Sequence, residues 1–153
     1  MKIQTISPDD EQAKRLIARS NAFMTSLYPL ESNHLDGIEV LKQPNVLFVG
    51  AYWGTKLVGC GAVKILTDDG TYGEIKRLFV SHEFRGQGVS LEIMHHLENY
   101  LITCGVKLAR LETGVKQPEA LGLYRKLGYV ERSPFGSYGQ DPLSVFMEKA
   151  LGA

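Results

Sequence analysis

Cysteine and long apolar runs are both scarce in this sequence. Its 153 residues include two cysteines, Cys60 and Cys104, which lie far apart without a CxxC pattern. That spacing disfavours a disulfide framework and a cysteine-bound metal. No segment is apolar over the length that spans a bilayer, and the first residues lack the apolar core of a signal peptide. We therefore expect a soluble, cytoplasmic protein that binds no membrane.

Net charge is absent as well. The 17 lysines and arginines balance the 17 aspartates and glutamates, so the overall attraction to nucleic acid that a basic protein shows is missing. We expect no nucleic-acid partner. Hydrophobic residues make up 44% of the chain, which suffices for one core, and neither a repeat nor a linker divides it. Residues 1–153 are therefore expected to form a single domain.

The period of the apolar residues predicts the order β-α-α-β-β-β-α-β-α-β-β. Ser7 and Pro8 resemble the cap and first residue of a helix. The runs LFVGAYW and KLVGCGAVKIL flank the turn Gly54-Thr55 and predict an antiparallel hairpin. Later segments alternate strand and helix. Together these patterns predict an α/β protein with a mixed sheet and helices on its faces.

The stretch RGQGVS, Arg85 to Ser90, lies between a predicted strand and a long predicted helix. A helix N-terminus carries partial positive charge and unpaired N–H groups, which attract anions. If Gly86 and Gly88 let the backbone approach closely, the amides of this stretch can hold a phosphate while Arg85 adds charge. The alternative is a plain turn in which the glycines relieve strain and Arg85 is solvated.

Several other motifs fail by one residue in this region. A dinucleotide fingerprint starting at Gly86 would need glycine at Leu91, and the elbow GxSxG would need it at Glu92. A zinc HExxH starting at His82 would need histidine where Gly86 stands. The adjacent pair His95 and His96 has no third ligand at a helical spacing, so we expect no metal.

A second stretch, LETGVKQPEALGLYRKLGY from Leu111 to Tyr129, follows one strand-helix unit later. Together with EIKRLFVSHEFRGQGVS it resembles the GCN5-related N-acetyltransferase (GNAT) family. The family's phosphate motif [RQ]xxGx[GA] is matched at Arg85 and Gly88, with Ser90 in the place of the usual glycine or alanine. Its helix motif NxxAxxxYxKxG[FY] is matched in the second stretch, with Gln117 replacing asparagine.

This resemblance implies the GNAT fold, which is a mostly antiparallel mixed sheet of about seven strands flanked by about four helices. It also implies acetyl-CoA as co-substrate and an N-acetyltransferase that acts on a primary amine of a small molecule, amino acid or peptide. The amine would attack directly in a ternary complex. Residues implied in cofactor binding are Leu78, Phe79, Val80, Arg85, Gly86, Gln87, Gly88, Val89, Ser90, Gln117, Ala120, Tyr124 and Lys126.

Two side chains are implied in catalysis. Tyr124 matches the family tyrosine near the cofactor sulfur, where a phenol can protonate a thiolate. Its other interpretation is a helix aromatic packed on the sheet. Glu74 begins the strand before the phosphate motif and could accept the amine's proton if burial raises its pKa. The alternative is a surface glutamate beside Lys76 and Arg77.

Residues that bind the acceptor are expected between the first two helices, where the family varies its sequence. The candidates are Tyr28, Glu31, Ser32 and His34. A capped loop between helices explains the same residues equally well. The late loop PFGSYGQD, with Phe135 and Tyr138, is expected to close over the acceptor from the opposite edge.

Two further questions stay open in the sequence. A non-catalytic acyl-CoA sensor with the same fold would keep the phosphate motif, although the presence of Glu74 and Tyr124 favours an enzyme. A homodimer is expected through SVFMEKAL, Ser144 to Leu151, which we interpret as an exposed edge strand.

Overall fold

A computed structural model describes residues 1–152 of the chain. Within that range seven strands and four α-helices follow one another in the predicted order. No helix in this range is both long and apolar enough to cross a membrane. The elements are β1 (Lys2–Thr5), α1 (Glu11–Leu27), α2 (Ile38–Leu41), β2 (Val46–Trp53), β3 (Lys56–Leu66), β4 (Tyr72–Val80), α3 (Val89–Thr103), β5 (Leu108–Gly114), α4 (Pro118–Lys126), β6 (Val130–Arg132) and β7 (Ser144–Ala150).

All seven strands form one sheet in the order β1-β2-β3-β4-β5-β7-β6. Every neighbouring pair is antiparallel except β4 and β5, which are parallel. A parallel pair needs a crossover connection, and α3 supplies it. The predicted mixed, mostly antiparallel sheet is thereby confirmed.

The parallel pair is short. β4 and β5 pair only at Gly73–Ala109, Glu74–Arg110 and Ile75–Leu111, although β4 runs on to Val80 and β5 to Gly114. The strands therefore diverge after Ile75 and Leu111 and leave a fork in the sheet. The edges that face each other across the fork keep backbone N–H and C=O groups without a strand partner.

The outer edge of β4 carries a bulge next to this fork. Cys60 of β3 is opposite Phe79 and Ala62 is opposite Lys76, so Gly61 faces both Arg77 and Leu78. Arg77 has φ 59°, the one positive φ of a non-glycine residue between residues 1 and 152. A β-bulge bends a strand and increases its local twist. The bulge thus helps to turn β4 away from β5.

Helices cover both faces of the sheet. α3 packs on one face, where Ile93 and Leu97 contact the strand residues Val49 and Val63. α1 packs on the other face, where Leu16 and Ile17 join a second apolar cluster. Glycines make the close approach of α3 possible, because a Cβ on Gly61 would lie 2.7 Å from Ile93 Cγ2 and one on Gly73 would overlap Leu101.

The start of α1 differs from the prediction. Asp10, rather than Ser7, is the N-cap, because its carboxylate accepts hydrogen bonds from the N–H groups of Gln12 and Ala13 at 3.1 and 3.2 Å. Ser7 Oγ instead accepts a bond from Asp9 N at 3.1 Å in the preceding turn. Two capping candidates only three residues apart are hard to rank from sequence, since both residue types are good N-caps.

The prediction that SVFMEKAL is an edge strand was wrong. β7 lies between β5 and β6 and pairs with both. The sheet instead ends at β1 and at the three-residue β6. β6 follows α4 and precedes β7 in the chain, so it can pair as a hairpin on the outside of β7. The homodimer stays a prediction without this strand as its basis.

Gly73→Ala tests the close packing of α3. We expect its free energy of unfolding to fall by about 1–3 kcal/mol, because the added methyl group overlaps Leu101 in a filled core. Gly37→Ala is the control, since no atom lies within 4 Å of a Cβ there. Denaturant unfolding of both variants measures the difference, and equal stabilities would contradict the packing described.

Candidate active site

A cavity of about 70 Å³ lies where β4 and β5 part. We call it the fork cavity. Its walls come from α1, the segment after α1, both diverging strands, the start and middle of α4, and the loop between β6 and β7. The lining side chains are Ser20, Met24, Tyr28, Ser32, His34, Leu35, Glu74, Ile75, Lys76, Arg77, Leu78, Glu112, Thr113, Gly114, Gln117, Tyr124, Tyr138 and Leu143.

A second, larger cavity of about 400 Å³ adjoins the fork cavity. We call it the outer cavity. The two share His34, Leu35, Glu74, Lys76 and Tyr138. The outer cavity adds Asn33, Asp36, Lys64, Leu66, Asp68, Tyr72, Gly136 and Ser137. Polar and charged groups from two strands and three loops thus surround a space large enough for part of a small molecule.

The loop of residues 85–90 has the backbone that the motif predicts. Gly86 has φ 77° and Gly88 has φ 80°, values that other residues rarely adopt. Gly88 caps the N-terminus of α3, and no N–H group from residue 86 to residue 91 donates to another group of the described chain. These N–H groups and the dipole of α3 therefore form a potential anion site.

The side chain of Arg85 turns away from this loop. Its guanidinium carbon lies 4.9 Å from the centre of the Phe23 ring and 5.8 Å from that of Phe79. Its Nε donates to the carbonyl of Val80 at 3.3 Å. Arg85 therefore connects the end of β4 to α1 in this structure, and its role beside a phosphate stays a prediction.

Tyr124 lies where the motif predicts, with its side chain in the wall of the fork cavity. It is 7% exposed and packs edge-on against Tyr129 at 5.9 Å. Burial raises the pKa of its phenol well above the usual value, and the nearby charge of Glu112 raises it further. The hydroxyl is therefore a neutral donor at physiological pH.

Glu74 is buried at the cavity but is held by its neighbours. Its Oε2 accepts a hydrogen bond from the Tyr138 hydroxyl at 2.6 Å and lies 3.7 Å from Lys76 Nζ. Lys76 in turn donates to Tyr138 at 3.1 Å and lies 3.5 Å from Asp36. This network joins β4 to the loop before β7, so Glu74 positions that loop as well as lining the cavity.

Glu112 is a candidate that sequence reasoning missed. It is the first residue of β5 beyond the last pair with β4, so its side chain lies at the mouth of the fork. Burial raises its pKa to about 7, opposed by a hydrogen bond from Ser144 at 2.9 Å and by the charge of Lys76. The only signal in the sequence is an acid beside Leu111 in the strand LARLETG, which by itself also fits a solvated face.

Three of the four predicted acceptor residues line the fork cavity. Tyr28, Ser32 and His34 do so, while Glu31 lies exposed on a short 3₁₀ turn outside it. Ser32 Oγ donates to Asp141 at 2.6 Å, and the ring of His34 meets that of Tyr138 at 5.2 Å. The segment after α1 thus contacts the loop before β7 across the cavity.

Tyr28 is also a structural contact between two helices. Its hydroxyl accepts a bond from Lys116 N and donates to Gln117 Oε1, both at 3.1 Å. It occupies the space where a side chain on Gly114 would lie. Gln117 is the N-cap position of α4, so Tyr28 connects α1 to the start of the helix that carries Tyr124.

The remaining predicted cofactor residues lie along the fork or the nearby helix. Leu78, Phe79 and Val80 belong to the part of β4 without a partner on the β5 side. Ala120 is half-buried on α4, whereas Lys126 is exposed at the end of that helix. The fork cavity therefore brings together Leu78, Gln117 and Tyr124, and Lys126 lies apart from it.

Comparison with known proteins identifies the family of the chain. Residues 10–129 match the family model described as Acetyltransferase (GNAT) family. The chain belongs to the GNAT acetyltransferase family. The IAA acetyltransferase of Azospirillum brasilense is 42% identical over 145 residues, which are 95% of this chain and 94% of that one. GNAT members of this kind are acyltransferases, and this chain is an acyltransferase enzyme.

Solved structures confirm the GNAT fold. A Klebsiella pneumoniae protein provisionally assigned as an acyl-CoA N-acyltransferase superposes with a TM-score of 0.84 at 32% identity, covering 99% of this chain and 97% of that one. The PaiA N-acetyltransferase of Thermoplasma acidophilum, solved with coenzyme A, has a TM-score of 0.75 at 20% identity and covers 97% and 98%. The second of these likenesses shows the fold alone.

Glu112→Gln is expected to change how stability depends on pH. Burial raises the pKa of Glu112 from 4.5 to about 7, so the folded protein keeps a proton that the unfolded chain loses. The stability from protonated Glu112 is complete below pH 4.5 and is lost as the pH rises through 7. Relative to the variant, the wild-type protein should lose about 2–3 kcal/mol of unfolding free energy between pH 5 and 8.

Denaturant unfolding at several pH values measures this difference. Glu119→Gln serves as the control, because Glu119 is exposed on α4 and forms no ion pair within the described chain. A constant difference between Glu112→Gln and wild type across this pH range would contradict the raised pKa.

Proposed function

We propose that this enzyme transfers the acetyl group of acetyl-CoA to a primary amine of a small molecule, an amino acid or a peptide. The amine attacks directly in a ternary complex. The observation that carries the proposal is the fork cavity, where the open edge of β4, a carboxyl group with a pKa near 7 and a neutral phenol converge. These are the groups needed to hold a thioester and to move protons beside it.

The chain offers a fitting site for a CoA chain. The unpaired backbone groups of β4 beyond Ile75 suit the amides of a pantetheine arm. The free N–H groups of residues 86–90 suit its pyrophosphate. No atom lies within 4 Å of a Cβ built on Gly86 or Gly88, so the surface of the loop is open to a ligand. Coenzyme A bound to the Thermoplasma neighbour supports this assignment.

Acetyl-CoA, when bound, supplies the thioester carbonyl that the amine attacks and the thiolate that leaves. Glu112 accepts the proton of the incoming ammonium, and the second proton, which the nitrogen loses as the amide forms, passes to the leaving thiolate. A carboxyl group with a pKa of about 7 suits this task, because near neutral pH it is ionised in part and still basic enough to accept a proton. Ser144 holds its Oε2 at 2.9 Å and orients the group.

Glu74 was the carboxylate that the resemblance suggested for this role. Its Oε2 is already the acceptor for Tyr138 and faces the ammonium of Lys76. Both contacts engage this oxygen, whereas Glu112 has no cation within ion-pair distance among the described residues. We therefore assign the base to Glu112 and propose that Glu74 holds Tyr138 and Lys76 in the wall that the acceptor meets.

Tyr124 stabilises the leaving thiolate. Its phenol pKa is raised by burial, so it stays protonated and donates to a developing negative charge. An ordinary thiol has a pKa of about 8.5, below that of the phenol, so a hydrogen bond to the thiolate is favoured over full proton transfer. A preorganised donor in a buried site lowers the barrier because it needs no reorientation.

Calorimetric titration with acetyl-CoA, followed by assay of CoA release with a panel of amines, amino acids and peptides, tests the function. We expect binding and release in the wild-type protein. Gly88→Trp should weaken acetyl-CoA binding by about tenfold or more, because its side chain fills the anion site. Gly70→Trp is the matched control, with φ 68° and equally open surroundings in the turn before β4. Equal loss in both variants, or no wild-type binding, would contradict the site.

The pH dependence of the rate distinguishes the two carboxylates. Glu112→Gln should lower kcat by about 10²- to 10⁴-fold and abolish the limb of the pH–rate profile near pH 7. Glu74→Gln should keep that limb and mainly raise the KM of the acceptor. The reverse pattern, with the limb lost in Glu74→Gln, would assign the base to Glu74.

A further inference from the structure

A buried arginine in the fork cavity has no acidic partner. Arg77 is 6% exposed and lines the cavity from the bulge of β4. Its Nη2 donates to the carbonyl of Ile17 in α1 at 3.2 Å. Its Nε and Nη1 are buried without a hydrogen-bond partner, and no carboxylate of residues 1–152 forms an ion pair with it. Asp36 acts on it only from a distance.

An arrangement of this kind is costly unless a ligand completes it. A buried charge without a counter-ion is strongly destabilising, and an unsatisfied buried donor adds to that cost. The backbone adds strain, since Arg77 holds φ 59° where glycine or asparagine is usual. An apolar side chain would fill the space beside Ile17 without these costs. Packing alone therefore does not account for an arginine here.

The position of Arg77 relative to the reaction centre points to the acceptor. Arg77 is two residues past the last pair on β4, while Glu112 is one residue past it on β5. The two side chains therefore flank the mouth of the fork from opposite arms. The other cation of this wall, Lys76, already faces Glu74 and Asp36. The guanidinium of Arg77 is thus the cation of the fork cavity that lacks a described counter-ion.

We propose that the acceptor carries a carboxylate that binds the guanidinium of Arg77 while its amine lies at Glu112, so that the enzyme acetylates amino acids or related amino carboxylates. This inference rests on the proposed function and names its substrate class. A guanidinium offers paired N–H donors that match the two oxygens of a carboxylate. Amines without an acidic group would leave the same donors unpaired and would bind more weakly.

Binding requires a local opening between α1 and β4. The fork cavity holds about 70 Å³, and Nε and Nη1 of Arg77 are closed off from it in the free chain. Ser20 and Met24 of α1 form the adjacent wall. A methionine side chain changes shape easily, and the Ser20 hydroxyl can add a further bond to an entering carboxylate.

The substrate side of the proposal is tested on the wild-type protein. CoA release is measured for the standard L-amino acids, β-alanine and γ-aminobutyrate, each beside its carboxamide. Calorimetric titration with the same compounds and with their N-acetyl products measures their affinity in the absence of turnover. We expect the carboxylates to exceed their amides by about tenfold to a hundredfold in kcat/KM or affinity, which corresponds to charge-assisted hydrogen bonds. Equal values, or no binding of any carboxylate, would overturn the proposal.

Arg77→Gln tests the residue. It should abolish the preference for carboxylates and leave the affinity for acetyl-CoA unchanged. Arg15→Gln, on the exposed face of α1, is the control and should keep the preference. Thermal unfolding and acetyl-CoA titration show whether each variant is folded. If Arg77→Gln weakens acetyl-CoA binding but keeps the preference, Arg77 serves the co-substrate and the proposal is wrong.

The two proposals fail in different ways. If carboxylates, their amides and simple amines all support CoA release with equal efficiency, the proposed acetyl transfer is retained. The proposed requirement for a carboxylate on the acceptor is then wrong. If carboxylates bind through Arg77 but no CoA is released, the proposed carboxylate site is retained. The proposed transfer of an acetyl group to these compounds is then wrong.

Discussion

The separation of β4 from β5 after three residue pairs is the constraint on which the site depends. A sheet normally satisfies the backbone groups of its inner strands, and two neighbouring inner strands that part leave several of them unpaired. The bulge at Arg77 and the crossover through α3 make this separation stable. The separation places Glu112 and Leu78, which line the cavity beyond the last residue pair of the ladder.

Much of the fold could be predicted because local patterns agree with it. Strands such as KLVGCGAVKIL, the helix after the 85–90 loop and the short helix Ile38–Leu41 have clear periodicity or clear end signals. The 85–90 loop could also be predicted, because backbone φ angles of 77° and 80° favour glycine and the two glycines are visible in the sequence. Tyr124 was found through the motif of α4.

The rest depended on contacts between segments distant in the chain. In the sequence, Glu112 looks like any acidic residue of a strand. Its burial at the fork and its hydrogen bond from Ser144 appear only in the folded chain. Glu74 is predictable as a residue of β4, but its bond to Tyr138 joins residues 64 apart in the sequence. The interior position of β7 was missed for the same reason, because the order of strands in a sheet is decided by pairing between distant segments. The sequence does not indicate the role of Arg77, because a β-bulge is defined only by the register between two paired strands.

The hydroxyl of Tyr28 has a mechanical consequence. It joins the end of α1 to Lys116 and Gln117, immediately before the helix of Tyr124. Tyr28 packs directly against Gly114, because its ring fills the space that a side chain at position 114 would occupy. A ligand that moves α1 on the acceptor side therefore also acts on α4 on the thioester side. In the proposed ternary complex, acceptor and co-substrate would therefore be thermodynamically linked, each changing the affinity for the other by the same factor.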